Sequence, residues 1–231
     1  MIKAVFFDLY FTLVCYEPSQ EEIEAGLLHT FGIEISPEAL RRPLTAANEI
    51  IYRAMIKRPL NQRSKEETMA LYARYHRDIL REAGLEAGEN VITGLLNGML
   101  QAKMKLVLFN DVLPALDDLK GRGLKLGLIS NIERNMAGAL DELDLSPRLE
   151  VVVTSQDAGA NKPQPEIFRF ALQKADVRPA EAIYIGDQYQ VDVLGARGAG
   201  MKGILLDRHG LHQEINDCPR IQSLSEVIEY L

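Results

Sequence analysis

Cysteine is scarce in this 231-residue chain, which has only Cys15 and Cys218. Two cysteines are too few for a disulfide framework, and their scarcity fits a reducing cytoplasm. Whether the two pair with each other is open at this level. Positive charge is not in excess either: 26 Lys and Arg stand against 33 Asp and Glu, for a net charge of −7. That balance argues against nucleic acid as a main partner, because phosphate backbones demand a basic surface. No run of 18 apolar residues occurs, so no membrane span is expected. The opening stretch MIKAVFFDL turns acidic too soon for a secretory leader and reads as a first strand. No internal repeat and no low-complexity linker interrupts the chain. What remains is an ordinary globular composition, 47% hydrophobic and 26% charged. The length allows one large domain or a core with a second domain inserted. The expected partner is a small molecule, with the chain a monomer or a homodimer.

Four short apolar runs each lead into polar residues with chemical uses. Val5-Phe6-Phe7 ends in Asp8, and Leu126-Gly127-Leu128-Ile129 ends in Ser130-Asn131. Val151-Val152-Val153 leads to a loop carrying Lys162-Pro163, and Ile183-Tyr184-Ile185 ends in Gly186-Asp187, with Asp192 beyond. Such runs, bounded by turn signals, read as buried parallel strands. Open parallel sheets bind ligands in the crevice at the carboxyl ends of their strands. Residues spread from position 8 to position 192 are therefore expected to converge on one site holding a carboxylate nucleophile, a hydroxyl, a lysine and an acidic pair.

Between the first strand and the rest, residues 16–108 read as helical throughout. Ile23, Leu27, Leu28 and Phe31 form a helical stripe. Ser36-Pro37 reads as an N-cap with proline at the first helical position, and Ser64 with Glu67 makes a capping box ahead of Met69, Leu71, Tyr72 and Tyr75. A fourth helix is expected over Val91 to Leu106. Four helices without an intervening strand read as a small bundle. From Leu113 onward strands alternate with helices, which implies a parallel sheet with right-handed crossovers. The expected architecture is α/β: a Rossmann-like parallel core from residues 1–15 and 109–231, flanked by helices. A four-helix-bundle cap over 16–108 would be inserted into it to cover the crevice.

These motifs carry a family resemblance. FDLYFTL, from Phe7 to Leu13, resembles the first motif of the haloacid dehalogenase superfamily, an aspartate followed four residues later by threonine. Ser130, Lys162 and the stretch from Gly186 to Asp192 resemble the second, third and fourth motifs, in the family's order. The resemblance implies that Asp8 is the nucleophile, forming an ester that water hydrolyses. Thr12 would hold the loop through its hydroxyl, and Ser130 or Asn131 would donate to a substrate oxygen. Lys162 would keep Asp8 ionised and offset substrate charge. The family's phosphatases further imply Mg²⁺ held by Asp8, the main-chain carbonyl of Tyr10, and Asp187, with Asp192 supporting Lys162 or water.

The pattern departs from those phosphatases at Tyr10, where they carry a second aspartate as general acid and base. General acid–base catalysis supplies roughly 10²–10⁴-fold, so a phosphatase with tyrosine there should be slow. The family's 2-haloacid dehalogenases carry a tyrosine at this position, and halide needs no proton on leaving. Those enzymes use no metal, however. They have serine in place of Asp187, asparagine in place of Tyr189, tyrosine in place of Phe168 and glycine in place of Phe11. Their substrate-binding arginine comes from the cap, where Arg41 and Arg42 are candidates. The favoured expectation is a Mg²⁺-dependent phosphate-ester hydrolase acting on a small metabolite, the alternative a metal-independent 2-haloacid dehalogenase. A third reading is a catalytically weak member that binds a phosphorylated metabolite. His209 and His212 read as loop histidines lacking a third ligand. The small residues from Gly195 to Gly200 read as a close helix–sheet contact.

Overall fold

In the computed structural model, which describes residues 1–132 and 136–231, the elements follow in the order β1 (Ala4–Phe7), β2 (Val14–Glu17), α1 (Gln20–His29), α2 (Pro37–Lys57), α3 (Lys65–Glu82), α4 (Glu89–Gln101), β3 (Lys105–Leu108), α5 (Val112–Gly121), β4 (Lys125–Ser130), α6 (Ala137–Glu142), β5 (Val151–Thr154), α7 (Ser155–Ala158), α8 (Pro165–Ala175), β6 (Ala182–Gly186), α9 (Leu194–Gly198), β7 (Lys202–Leu206) and β8 (Arg220–Ile221). The chain divides into two compact units, one of Met1–Cys15 with Leu106–Leu231 and the other of Tyr16–Lys105. No described helix is long and apolar enough to cross a membrane.

The larger unit is a Rossmann-like α/β fold. Its six strands pair in the order β5-β4-β1-β6-β7-β8, every pair parallel. Side chains alternate faces along a strand, and helices cover both faces of this sheet, so the central stretches of the strands are apolar on both faces. Val5 and Phe7 of β1 join Ile183 and Ile185 of β6 and Val112, Leu116 and Leu119 of α5 in one core. Ala4 and Phe6 join Ala182, Tyr184 and the α8 stripe Ile167, Phe168, Ala171, Leu172 and Ala175 in the other. The close contact expected between the small residues from Gly195 to Gly200 and the sheet is at Gly195 a contact with α8 and the loop before it: a Cβ there would stand 2.8 Å from the Phe168 ring and 3.0 Å from the Pro163 Cα. Cys15 and Cys218 form no disulfide with each other.

The smaller unit packs α1, α2, α3 and α4 around Leu28, Leu40, Leu44, Ile79 and Leu95. Capping boxes at Ser19 with Glu22 and at Ser64 with Glu67 open α1 and α3. Two expectations change here. The fourth helix stops at Gln101, and Lys105-Leu106-Val107-Leu108 is strand β3, so residues 16–108 are not helical throughout. Nor does the α1 stripe match its expected set: Glu24, Ala25 and Leu28 are buried, while Phe31 lies beyond the helix and is exposed. Glu24 is only partly satisfied: its Oε1 lies 3.2 Å from His76 Nδ1 and 3.4 Å from the donating Gln20 Nε2, while its Oε2 is buried without a hydrogen-bond partner among the described residues. Tyr75 is core, and its hydroxyl donates to Asn48 Oδ1 at 2.7 Å. Arg41 and Arg42 are exposed on α2.

Candidate active site

β1 and β6 are neighbours, with Phe7 opposite Ile185. The residues that end these strands, Asp8 and Gly186-Asp187, therefore emerge side by side at the carboxyl edge. The Asp8 amide extends the ladder by donating to the Ile185 carbonyl at 2.9 Å. Asp192 follows one turn later, where its main-chain N–H donates to the Gln188 carbonyl at 2.8 Å. The Asp192 carboxyl turns back over Gly186, where a Cβ would stand 2.3 Å from it. Only glycine leaves room for that carboxylate.

Lys162 enters from the loop before α8 and is almost fully buried, as are Asp8 and Asp192. Its ammonium donates to Asp8 Oδ1 at 2.5 Å, to Asp192 Oδ1 at 2.7 Å and to the Tyr184 hydroxyl at 2.7 Å. All three N–H bonds are thereby used, which an ammonium this deep requires. Burial alone would lower the lysine pKa, but the Asp192 and Asp8 charges outweigh it and hold it near 12. Asp192 is fully engaged too, since its Oδ2 accepts the Gln188 amide at 3.0 Å.

Asp8 and Asp187 are left less satisfied. Burial, with the Asp192 charge adding to it, lifts Asp8 to about 6 despite the attraction of Lys162. Burial, together with the Asp192 and Asp8 charges, pushes Asp187 well above the usual carboxylate range. Asp187 Oδ1 is buried with no hydrogen-bond partner among the described residues. Oxygens of Asp8, Asp187 and Asp192 all lie within 4.8 Å of one another, forming the one group of this kind among the described residues. Three carboxylates face one ammonium, and one carboxylate oxygen is orphaned. Both observations fit a hard divalent cation, which would satisfy the oxygen and balance the charge.

The remaining candidates differ from expectation in what they touch. Asn131 does not simply present a donor to substrate: its Oδ1 accepts the Lys162 amide at 2.7 Å and its Nδ2 donates to the Lys162 carbonyl at 3.0 Å. It fixes the lysine's main chain. Ser130, the last residue of β4, is buried opposite Thr154 of β5. The Thr12 hydroxyl, expected to hold the loop, is buried without a partner among the described residues. Tyr10 is half-buried in the turn after Asp8, bridged to Val14. Phe11 takes a φ of 60°, a left-handed backbone that favours glycine. Tyr184 was not among the expected site residues. It lies mid-strand in an apolar run and reads as core, yet a buried tyrosine hydroxyl must find a partner. Its proton is shared between the Ile129 carbonyl and Asp192 Oδ1, each at 3.1 Å. Phe168 packs edge-on against the Tyr184 ring with centroids 5.1 Å apart.

A doubly wound parallel sheet with acidic residues and a buried lysine gathered at its carboxyl edge defines an α/β protein with an enzyme-type site. Residues 2–200 match the family model described as haloacid dehalogenase-like hydrolase, and the chain belongs to that family. Over 226 residues it is 30% identical to the glyceraldehyde 3-phosphate phosphatase of Methanopyrus kandleri, covering 93% of this chain and 88% of that protein. Over 91 residues it is 44% identical to haloacid dehalogenase-like hydrolase domain-containing protein 3 of Mus musculus. That stretch is 38% of this chain and only 36% of the relative's length. Among solved structures, the 2-haloacid dehalogenase of Pseudomonas syringae pv. Tomato DC3000 is 27% identical with a TM-score of 0.57, over 99% of this chain and 97% of that one. The HAD-hydrolase YfnB of Bacillus subtilis, bound to magnesium, shares the fold at 18% identity and a TM-score of 0.63, over 100% and 98% of the two chains.

Proposed function

We propose that this chain is a Mg²⁺-dependent hydrolase of small phosphate monoesters, with Asp8 as its nucleophile. The observation that carries the reading is the buried, partnerless Asp187 Oδ1 beside Asp8. A metal-free reaction gives that oxygen no role and leaves two carboxylates repelling each other. The Methanopyrus kandleri relative, a phosphatase by name, points the same way and suggests a triose or similar sugar phosphate as substrate. The low cysteine count supports work in a reducing cytoplasm.

Mg²⁺ held by Asp8, Asp187 and the Tyr10 main-chain carbonyl would neutralise phosphate charge in this site. Lys162 occupies Oδ1 of Asp8 and orients the carboxylate, so attack falls to Oδ2. The new bond joins that oxygen to phosphorus as the bond from phosphorus to the alcohol oxygen breaks. Water then attacks phosphorus, releasing inorganic phosphate and restoring Asp8. Asp192 and Tyr184 keep the ammonium in place through both steps, and Asn131 keeps the chain that carries it. Tyr10 provides no carboxyl to protonate the departing alcohol. Turnover of a sugar phosphate, whose alkoxide leaves poorly, is therefore slow, and faster for substrates whose alkoxides leave easily.

A second reading, a 2-haloacid dehalogenase, is favoured by Tyr10 and by the 27% identical Pseudomonas syringae enzyme. One assay separates the two. Metal-stripped protein is given p-nitrophenyl phosphate, glyceraldehyde 3-phosphate or 2-chloropropionate, with and without Mg²⁺. Phosphate release that requires Mg²⁺, with no halide, is the expected result. Halide release without metal would reverse the ranking. Silence in every arm would favour a protein that binds a phosphorylated metabolite without turnover.

A further inference from the structure

The turn after Asp8 carries the nucleophile and Tyr10 through a left-handed residue, Phe11, and the Thr12 hydroxyl does not hold it. The turn closes on itself, the Leu13 and Val14 amides donating to the Leu9 carbonyl at 2.9 and 3.0 Å and the Phe11 amide to the Val14 carbonyl at 2.6 Å, and two further carbonyls are gripped from outside it. Arg208, two residues beyond β7, donates through Nη2 to the Thr12 carbonyl at 2.8 Å. The next carbonyl, that of Leu13, accepts the Phe109 amide at 3.2 Å. The Arg208 guanidinium lies over the Phe109 ring, 3.9 Å from its centroid. Its Nη1 donates to Asp111 Oδ2 at 2.9 Å. Asp111 is anchored in turn, accepting the Ser223 hydroxyl and the Leu224 amide, each at 2.9 Å.

We infer that Arg208 is a positioning residue: its guanidinium spans the Thr12 carbonyl and Asp111 and so fixes the turn that aims Asp8 and Tyr10. The inference rests on the reading of Asp8 as the reacting group. Arginine suits this role because its planar fork reaches two acceptors at once while its face stacks on a ring. The side chain is only 13% exposed, and both Nη atoms are committed within the protein, which separates it from a substrate-binding arginine. A carbonyl grip tolerates a bulky residue at the left-handed position, because it restrains the backbone on the far side of the strained residue.

The test compares wild type with Arg208→Lys and Arg208→Gln, both loaded with Mg²⁺. Amide hydrogen exchange over residues 8–14 is read alongside kcat and KM for p-nitrophenyl phosphate. Lysine keeps the charge opposite Asp111 but cannot fork, and glutamine removes the charge as well, so unchanged β4 exchange serves as the check that each variant is folded. Both variants should exchange faster over residues 8–14 and leave β4 unchanged. kcat should fall about 10- to 100-fold with KM nearly constant, as misplacement of reacting groups costs on this scale. Unchanged exchange over residues 8–14, an unchanged kcat, or a raised KM at constant kcat would each overturn the inference. If wild type turns over nothing, the phosphatase reading fails, and the exchange result alone decides whether Arg208 holds the turn.

Discussion

Gly186 and Asp192 stand so close that a single added carbon on the glycine would lie 2.3 Å from the aspartate's carboxylate. Asp192 has no room to yield: it is fully buried and fixed by Lys162, Tyr184 and the Gln188 amide. Gly186→Ala is therefore expected to cost roughly 1–3 kcal/mol, the usual range for overpacking. Chemical denaturation measures that loss. Turnover should fall further than stability, because the displaced carboxylate pulls on the ammonium that orients Asp8.

Metal-stripped protein should lose stability as the pH rises. Asp8 has a folded pKa near 6 against an ordinary 3.8, and Asp187 is raised as well. In that window the folded state binds more protons than the unfolded state, so stability is full below about pH 4 and falls as pH climbs through 6. For Asp8 alone the loss is on the order of 3 kcal/mol, at about 1.4 kcal/mol per pH unit. Thermal midpoints between pH 4 and pH 8 would show the slope. Asp8→Asn should lessen the slope, leaving the part due to Asp187, and added Mg²⁺ should remove it in wild type. A flat profile for the stripped wild-type protein would mean that the carboxylates find other compensation.

Tyr184→Phe keeps the ring that packs on Phe168 and removes only the hydroxyl. One N–H of Lys162 and the Ile129 carbonyl then lose a partner in a dry site. A cost of about 1–3 kcal/mol follows, readable by urea denaturation. The folded variant should retain its circular dichroism spectrum while kcat drops.

Tyr10→Asp supplies the carboxyl that the phosphatase chemistry lacks. Phosphatase activity on substrates with poor leaving groups should rise, by up to ~10²–10⁴-fold. Steady-state rates on glyceraldehyde 3-phosphate would measure it. A fall instead would give Tyr10 a positive role in binding or catalysis.

Much of the core was legible because parallel strands leave an unambiguous mark. Val5-Phe6-Phe7 and Ile183-Tyr184-Ile185 are buried on both faces, and strand ends in such sheets point to one edge. Asp8, Lys162, Asp187 and Asp192 could thus be gathered from sequence alone. What stayed hidden depends on side-chain reach. Tyr184 looks like filling until its hydroxyl is seen against Lys162. Asn131 carries the groups of a substrate donor, but both face a main chain 31 residues away. Arg208 sits in a loop with no motif around it, and its role is set by packing on Phe109. The sequence does not mark the end of α4, because Leu106, Val107 and Leu108 continue an apolar pattern that either a helix or a strand can use.

The spacing of Asp8 and Asp187 is inherited from the ladder between β1 and β6, whose strands lie roughly 4.7–4.9 Å apart as in any sheet. Backbone pairing, more than any loop, thus sets the gauge of the acidic pair. One consequence concerns the chain during synthesis. The partner of Phe7 is Ile185, so a nascent polypeptide that already holds its nucleophile has no site until a strand far later in the sequence has emerged. Pairing so distant in sequence is slow to form, and the first turnover would therefore report that the whole sheet has closed.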